Sequence, residues 1–400
     1  MRQAGMRRRT LVYVTVGACL LATAACSSSS GAKSGGSSEI NIGIIVPKTG
    51  ALAGEFDQEI VGAQVRLKQL DASGGINGHQ VNLVVADDQS TPQGALTAAQ
   101  SLVSTGVVAT IGDTSNVGGA AEQYLAQKHI PLAITTASPA SVADSNVFSP
   151  QGTTGPTVPV SKSLGDFLSG IGVTSIAGLA WGTAASSVSL MQAALKSANA
   201  AGITTAMTDL SPSSSTVDYT STAVKLKDSH AESLFFPVTN SANIALAVSM
   251  QQQGVHVKAP VWSTTLLDNS ILQDPHESAF ENSYVQSWFA PSTLATPAVE
   301  KFVAAVEQYA PSSYPGFFVT YGYVLADVLV AGALNAGTHV TGPSVLAALH
   351  KITAYDGAGL TAKTLDFTKS KTDPANLESC YWYVQLVHKQ FIPVSMNPTC

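Results

Sequence analysis

Short β-rich runs alternate with amphipathic helical stretches through most of this chain. The first run, Ile40 to Pro47, reads INIGIIVP and is apolar enough to form a buried strand. The next stretch, Asp57 to Leu70, places Ile60, Ala63 and Leu67 on one helical face. Further strands are predicted at 81–86, 107–112 and 131–135, with helices at 92–103 and 119–128. This alternation predicts an α/β fold whose parallel sheets are covered by helices on both faces.

The alternation comes in two series that are separated near residues 148–159. The second series predicts a helix from about 157, strands at 175–181, 203–208, 233–238 and 260–263, and helices at 187–201, 219–227 and 242–253. Two series predict two lobes, because 400 residues exceed one ordinary α/β unit. From residue 295 the pattern becomes mostly helical, at 297–309, 317–336 and 342–351, before a last strand at 381–387. These late helices need a sheet to pack on, so the chain is expected to cross between lobes more than once.

One loop and strand suggest where a ligand would bind. Gly74 and Gly75 follow the first helix and suit a helix C-terminus, and Asn77-Gly78 forms a tight turn. The strand at 81–86 then ends in the polar segment 87–91. In open parallel sheets the carboxyl ends of the strands line the ligand crevice, so this segment is predicted to lie on its rim.

The charge balance argues against a nucleic-acid partner. The chain has 20 basic and 26 acidic residues and a net charge of -6. Four of the basic residues precede Cys26, which leaves about -10 for the rest of the chain. An acidic body without a basic stripe lacks the clustered Lys and Arg that replace counterions on nucleic acid.

The first 26 residues are predicted to be an export signal. A basic Arg7-Arg8-Arg9 segment precedes an apolar run at 11–25, which is too short for a comfortable membrane span. Ala24-Ala25-Cys26 follows, and 27–39 reads as a flexible linker. The segment resembles a bacterial lipoprotein signal, which implies that Cys26 carries the lipid. Cys19 is the alternative lipidation site, and a cleaved secretory signal with an incidental cysteine is the alternative to lipidation.

Two further cysteines lie near the C-terminus. In an exported protein Cys380 and Cys400 are predicted to form a disulfide, with two free thiols as the alternative. The eight histidines are scattered and no Cys/His spacing suggests a metal site. No cofactor or metal is expected.

Three blocks of sequence, at 42–64, 74–92 and 107–140, resemble the leucine/isoleucine/valine-binding protein family. These proteins are the extracytoplasmic substrate-binding components of branched-chain amino-acid ABC transporters. The resemblance implies a two-lobe clamshell (type 1 periplasmic-binding-protein fold) with three interlobe crossings and a ligand held between the lobes. Lobe I is expected at 40–157 plus about 289–366, and lobe II at 158–288 plus about 367–400. The resemblance also implies that ABC permease and ATPase subunits are partners of this protein. Together with the lipoprotein-like signal, it implies attachment to the outer face of the cytoplasmic membrane. The protein is expected to be a monomer.

The candidate ligand contacts of the first lobe lie in two strand–helix loops. Ser115 and Asn116 precede a predicted helix, where backbone N–H groups and the helix dipole favour an anion such as a carboxylate. Simple helix capping is the alternative. The resemblance implies a second contact loop, whose candidates are Thr135, Thr136, Ala137 and Ser138. Phe56 is a candidate for the pocket rim or for core packing.

The second lobe departs from the family at the amino group. Thr239 and Asn240 fall where the family places a tyrosine, and Thr264 and Thr265 lie near the glutamate that pairs with an α-ammonium group. A buried ammonium without a charge partner costs several kcal/mol. The departure leaves two readings: Asp268 or Asp113 replaces the missing anion, or the ligand is not an α-amino acid.

These residues are compatible with three functions. The first is a lipid-anchored solute-binding protein of an ABC importer that binds an amino acid, with a small organic or aromatic acid or an amide as the alternative ligand. The second is a secreted enzyme, which the absence of a G-x-S-x-G elbow and of a P-loop disfavours. The third is a sensory receptor built on the same clamshell. The sequence favours the first, a binding protein rather than an enzyme.

Overall fold

The strands form two separate sheets. The computed structural model describes residues 39–112, 119–134, 145–151, 161–369 and 380–400. The first sheet has the order β2-β1-β3-β4-β5, and all of its pairings are parallel. Its strands are β1 (Ile40–Val46), β2 (Val81–Asp87), β3 (Ala109–Gly112), β4 (Leu132–Ala133) and β5 (Val147–Phe148), and the first helices are α1 (Asp57–Ala72), α2 (Pro92–Ser104) and α3 (Ala120–Gln127).

The second sheet has seven strands in the order β12-β11-β10-β9-β8-β6-β7. Its strands are β6 (Ser175–Leu179), β7 (Thr204–Asp209), β8 (Ser233–Phe236), β9 (Ala259–Trp262), β10 (Tyr284–Ser287), β11 (Trp382–Val387) and β12 (Gln390–Pro393). The helices beside them are α4 (Ser163–Gly170), α5 (Ala185–Ala200), α6 (Thr220–Ser229), α7 (Asn240–Gln252) and α8 (Asn269–Gln273). Strands β6 to β10 pair in parallel, whereas β11 and β12 add an antiparallel hairpin at one edge.

The last three helices return to the first sheet. They are α9 (Pro297–Tyr309), α10 (Phe317–Leu334) and α11 (Gly342–Leu349). Helix α10 packs on α1, β3, β4 and α11, and α9 packs on α1. The chain therefore changes sheet three times, and the predicted two-lobe clamshell with three crossings is confirmed. Below, the first lobe means the first sheet with α1–α3 and α9–α11, and the second lobe means the second sheet with α4–α8.

Helices α1 and α10 cross at very short range because each has a glycine at the contact. A Cβ atom on Gly62 would overlap the carbonyl oxygen of Val319, and one on Gly322 would overlap that of Glu59. Beside the crossing, Arg66 Nε donates to Asp327 Oδ1 at 2.7 Å, and both side chains are largely buried. Among the described residues α10 is the one helix long and apolar enough to span a membrane, but 89% of it is buried in the protein. It is a core helix.

The predicted element boundaries mostly agree with the structure to within a few residues. The largest shift is in α4, which starts at Ser163 rather than near 157. Three strands, β5, β10 and β12, and the short helix α8 were missed. Strand β10 reads YVQS and β12 reads QFIP, so neither is a long apolar run.

The C-terminal tail is tied to β11. The predicted disulfide Cys380–Cys400 is present, with an S–S distance of 2.07 Å. Tyr381 and Thr399 also exchange backbone hydrogen bonds of 2.8 Å beside it. The bridge closes a loop that contains the antiparallel hairpin.

Candidate ligand-binding cleft

A cavity of about 100 Å³ lies between the two lobes. This is room for a small solute rather than for a single water, which needs roughly 10–15 Å³ on the same scale. The second lobe contributes segments at the carboxyl ends of β6, β8, β9 and β10, and the first lobe contributes the β1–α1 loop and the start of α10. The lining residues are Leu52, Phe56, Trp181, Ala184, Ser186, Ser187, Leu190, Phe235, Pro237, Val238, Thr239, Ser263, Thr264, Thr265, Gln286, Trp288, Phe317 and Phe318.

Aromatic side chains form most of the first-lobe wall and bridge to the second lobe. The rings of Phe56 and Phe318 meet edge to face with their centroids 5.2 Å apart. Phe317 meets Trp288 of the interlobe segment in the same way, at 5.6 Å. Edge-to-face pairs at this distance fix the ring orientations, so the wall is preformed.

Trp181 forms part of the second-lobe wall and is held by two hydrogen bonds. Its indole Nε1 donates to Tyr219 Oη at 3.1 Å, and its backbone N–H donates to Ser187 Oγ at 3.1 Å. Ser187 Oγ donates in turn to the carbonyl of Pro237 at 2.9 Å. Burial raises the pKa of Tyr219, so this phenol stays neutral and available as the acceptor.

Most hydroxyl groups of the β9 loop are already used within the protein. Ser263 Oγ and Thr265 Oγ1 both donate to the carbonyl of Val238, at 3.1 and 2.9 Å. Asn243 Nδ2 donates to Ser263 Oγ at 3.2 Å. These bonds tie the β9 loop to the β8 loop and to α7, so they set the shape of this wall.

Thr264 differs from its neighbours. Its side chain is 3% exposed and lines the cavity, and its Oγ1 has no hydrogen-bond partner among the described residues. A buried hydroxyl without a partner is costly, by about 1–3 kcal/mol. Because Thr264 lines the cavity, a solute bound there can supply the partner.

Gln286 supplies an amide to the same cavity. Its Nε2 donates to Tyr383 Oη at 3.1 Å, and Tyr383 Oη lies 3.1 Å from Ser163 Oγ. Burial raises the pKa of Tyr383, which keeps this phenol protonated. The amide orientation is therefore fixed from behind the cavity wall.

Two helices of the second lobe begin at the cavity. Helix α5 follows Ala184 and α7 follows Thr239, and both residues line the cavity. Neither helix has a side-chain cap on its first turn. Helix N-termini carry a partial positive charge, so this wall favours negative over positive groups.

A hydrogen bond joins the lobes at the rim. Ser241 Oγ donates to Glu55 Oε1 at 2.8 Å, and Thr239 Oγ1 lies 3.0 Å from Ser241 Oγ. Glu55 belongs to the β1–α1 loop and Ser241 to the first turn of α7. The first lobe thus contacts the second lobe directly beside the cavity.

No charged side chain is among the described residues that line the cavity. Asp268, one candidate for the missing anion, instead caps α8 by accepting from the backbone N–H of Ser270 at 2.8 Å. Asp113, the other candidate, lies outside the described residues.

The structure brings together part of the predicted site. Phe56, Thr239 and Thr265 line the cavity, whereas Asn240 is the first residue of α7 and is not part of the lining. The predicted contacts Ser115, Asn116, Thr135, Thr136, Ala137 and Ser138 lie outside the described residues, and so does Cys26. The roles of these residues stay predictions. Contact between the ligand and Phe56, Thr239 or Thr265 also stays a prediction.

Several lining residues were missed from the sequence. Phe317 and Phe318 read as ordinary core positions of an apolar helix, and Trp288 and Gln286 lie in a region where no strand was predicted. The return of α10 to the first lobe, with its first turn at the cleft, brings Phe317 and Phe318 to the cavity, whereas the pairing of β10 with β9 brings Gln286 there.

Residues 39–390 match a family that is described as periplasmic binding protein. The chain belongs to the periplasmic binding protein family. Among curated relatives, a Leu/Ile/Val-binding protein of Rhizobium johnstonii is 35% identical over 101 residues, which are 25% of this chain and 28% of that protein. The matched segments span about a third or less of the length of this protein and of another curated Leu/Ile/Val-binding protein homologue, from Brucella melitensis.

Solved structures with the same fold cover most of this chain. A fatty acid ABC transporter substrate-binding protein from Thermomonospora curvata superposes with a TM-score of 0.74 at 16% identity, covering 90% of this chain and 92% of that one. A solute-binding protein of R. palustris in complex with benzoate gives a TM-score of 0.73 at 16% identity, with 90% and 97% covered. At these identities the similarity shows the fold alone.

Proposed function

We propose that this chain is the extracytoplasmic solute-binding protein of an ABC importer. The observation that carries the proposal is the cavity between the lobes, which takes side chains from both of them at the carboxyl ends of parallel strands. Such a cavity binds a solute without any catalytic group. We propose binding without turnover, and incubation with generic ester substrates should release no product.

Binding and closure are coupled in this proposal. Lobe I is taken as 40–157 plus about 289–366, and lobe II as 158–288 plus about 367–400. Contacts such as Ser241 to Glu55 cross between the lobes at the rim, so a solute that touches both walls favours the closed arrangement. The closed form then docks on a permease whose ATPase subunits drive import.

The ligand is a small solute that can be an amino acid or an organic acid. Curated relatives are named as Leu/Ile/Val-binding proteins, which supports a branched-chain amino acid. Two relatives in fold are named for a fatty acid or contain benzoate, and the lack of a charged side chain among the described lining residues supports an acid without an amine.

A thermal-shift screen tests the proposed function. Amino acids, aliphatic acids, aromatic acids and amides are added singly to the exported domain, which is the chain that follows the predicted export signal. A solute at 100 times its Kd should stabilise the native state by about 2.7 kcal/mol and raise the Tm. A panel in which no solute changes the Tm would contradict the proposed function.

The proposal also includes membrane attachment at Cys26 and a monomeric state. The resemblance of the first 26 residues to a lipoprotein signal supports the anchor. Mass spectrometry of the protein purified from membranes should show a lipid-bearing N-terminal cysteine at position 26. Detection at Cys19, or of an unmodified N-terminus, would contradict it. Light scattering should give the mass of one chain.

A further inference from the structure

The second-lobe wall of the cavity suits a group that accepts hydrogen bonds and repels a cation. It has no charged side chain among the described residues, and the N-termini of α5 and α7 add partial positive charge to it. An ammonium group placed there would lose its water and face two like-signed dipole ends, and none of the described lining residues offers it a carboxylate.

Thr264 gives this wall one unused hydrogen-bonding group. The turn that starts at Thr264 packs against α7, and both Thr264 and Thr239, the residue before α7, line the cavity. The hydroxyls of Ser263 and Thr265 already donate to the Val238 carbonyl, whereas Thr264 Oγ1 is buried without a partner among the described residues. No described residue accepts the proton of this hydroxyl.

Two acidic residues that could face a ligand, Asp268 and Glu55, already have partners within the protein. Asp268 caps α8, and Glu55 accepts from Ser241 at the rim rather than lining the cavity. Phe56 and Phe318 of the first-lobe wall, together with Trp181 of the second-lobe wall, suit an apolar body.

We propose that the ligand is an apolar monocarboxylate without an α-ammonium group, and that the Thr264 hydroxyl donates a hydrogen bond to one of its oxygens. The inference rests on the proposed function and narrows its ligand class. It makes Thr264 a specificity-determining residue, because its hydroxyl is satisfied by an acceptor and the wall around it disfavours a cation.

Matched solutes that differ only by the amine give the sharpest test. One pair is 4-methylpentanoate and leucine, and the other is 3-phenylpropanoate and phenylalanine. Isothermal titration calorimetry measures all four with the exported domain. Since one unpaired buried charge is penalised by several kcal/mol, each carboxylate should bind at least about a hundredfold more tightly than its amino acid.

Variants of Thr264 then separate a ligand bond from a structural role. Thr264→Val removes the unpartnered hydroxyl, so it should leave the Tm unchanged or raise it, yet weaken binding of 4-methylpentanoate about tenfold. Thr264→Ser keeps the hydroxyl and should restore most of that affinity. A matched control is Thr110→Val, because Thr110 Oγ1 is also buried without a partner in the described residues but lies on β3, away from the cavity lining. It should leave binding unchanged.

The outcomes distinguish the two proposals. Tighter binding of leucine or phenylalanine than of its deaminated partner would overturn the inference and leave the solute-binding function intact. Equal affinity of Thr264→Val and the unchanged protein for 4-methylpentanoate would also overturn it. If none of the four solutes binds, the inference about the ligand class is also overturned. The proposed solute-binding function is contradicted only if the broader thermal-shift panel is negative as well.

Discussion

Replacing Gly62 by alanine should separate α1 from α10. The added Cβ would overlap the carbonyl oxygen of Val319 and lie 2.8 Å from the backbone nitrogen of Tyr323. Both are backbone atoms of a helix, which cannot rotate out of the way as a side chain can. The helices must move apart, and such overpacking costs about 1–3 kcal/mol.

Two opposing effects determine the change in unfolding free energy, because alanine by itself stabilises a helix relative to glycine. Glycine in a helix interior is about 1 kcal/mol less favourable than alanine. With the clash at the upper end of its range, Gly62→Ala should therefore lose about 2 kcal/mol of unfolding free energy. Since about 2–4 °C of Tm accompany each kcal/mol in domains of 150–250 residues, the Tm should fall by several degrees.

Thermal unfolding followed by circular dichroism measures this effect, and Gly170 provides the control. Gly170 is the last residue of α4, and a Cβ there would meet no atom within 4 Å. Gly170→Ala should therefore keep or slightly raise the Tm. A Gly62→Ala protein as stable as the unchanged one would refute the close crossing of α1 and α10.

Three further predictions concern the tail, one buried carboxylate and the rim. Cys400→Ser opens the loop closed by Cys380 across a sequence separation of 20, so it should lower the unfolding free energy by about 3 kcal/mol in chemical denaturation; an unchanged midpoint would contradict this. Burial opposes ionisation of Asp209, but hydrogen bonds from Ser211 and Lys225 outweigh it and lower its pKa. Its stabilisation is therefore present above the ordinary value of 3.8 and is lost as the pH falls through the folded-state pKa, so the Tm gap between the unchanged protein and Asp209→Asn should shrink in acid. Glu55→Ala removes the exposed interlobe bond and should lower the affinity for 4-methylpentanoate by no more than about fivefold, since exposed polar pairs contribute roughly 0–1 kcal/mol; a total loss of binding would instead place Glu55 in contact with the solute.

The sequence predicts the lobes well because their signals are local. Apolar runs bounded by turns predict β1 and β2 closely, and the bounds predicted for α9 are those observed, Pro297–Tyr309. Its N-cap, Thr296, accepts from the backbone N–H of Val299, and proline occupies the first turn. Such signals need no knowledge of distant residues.

The cleft is harder to predict because its residues are brought together by tertiary contacts. Strand β10 has the polar Gln286 and Ser287 at its end, and these weaken the strand pattern while one of them serves the cavity. Phe317 and Phe318 look like core residues until the position of α10 is known. The free hydroxyl of Thr264 cannot be told from the engaged hydroxyl of Thr265 without the hydrogen bonds around them.

A crystal structure of the protein grown with 4-methylpentanoate would locate the solute itself. The solute should lie between the lobes, in contact with Trp181 and Phe318, with a carboxylate oxygen about 2.7–2.8 Å from Thr264 Oγ1. An ordered solute bound outside this cavity, or an empty cavity at a concentration that saturates binding in solution, would contradict it.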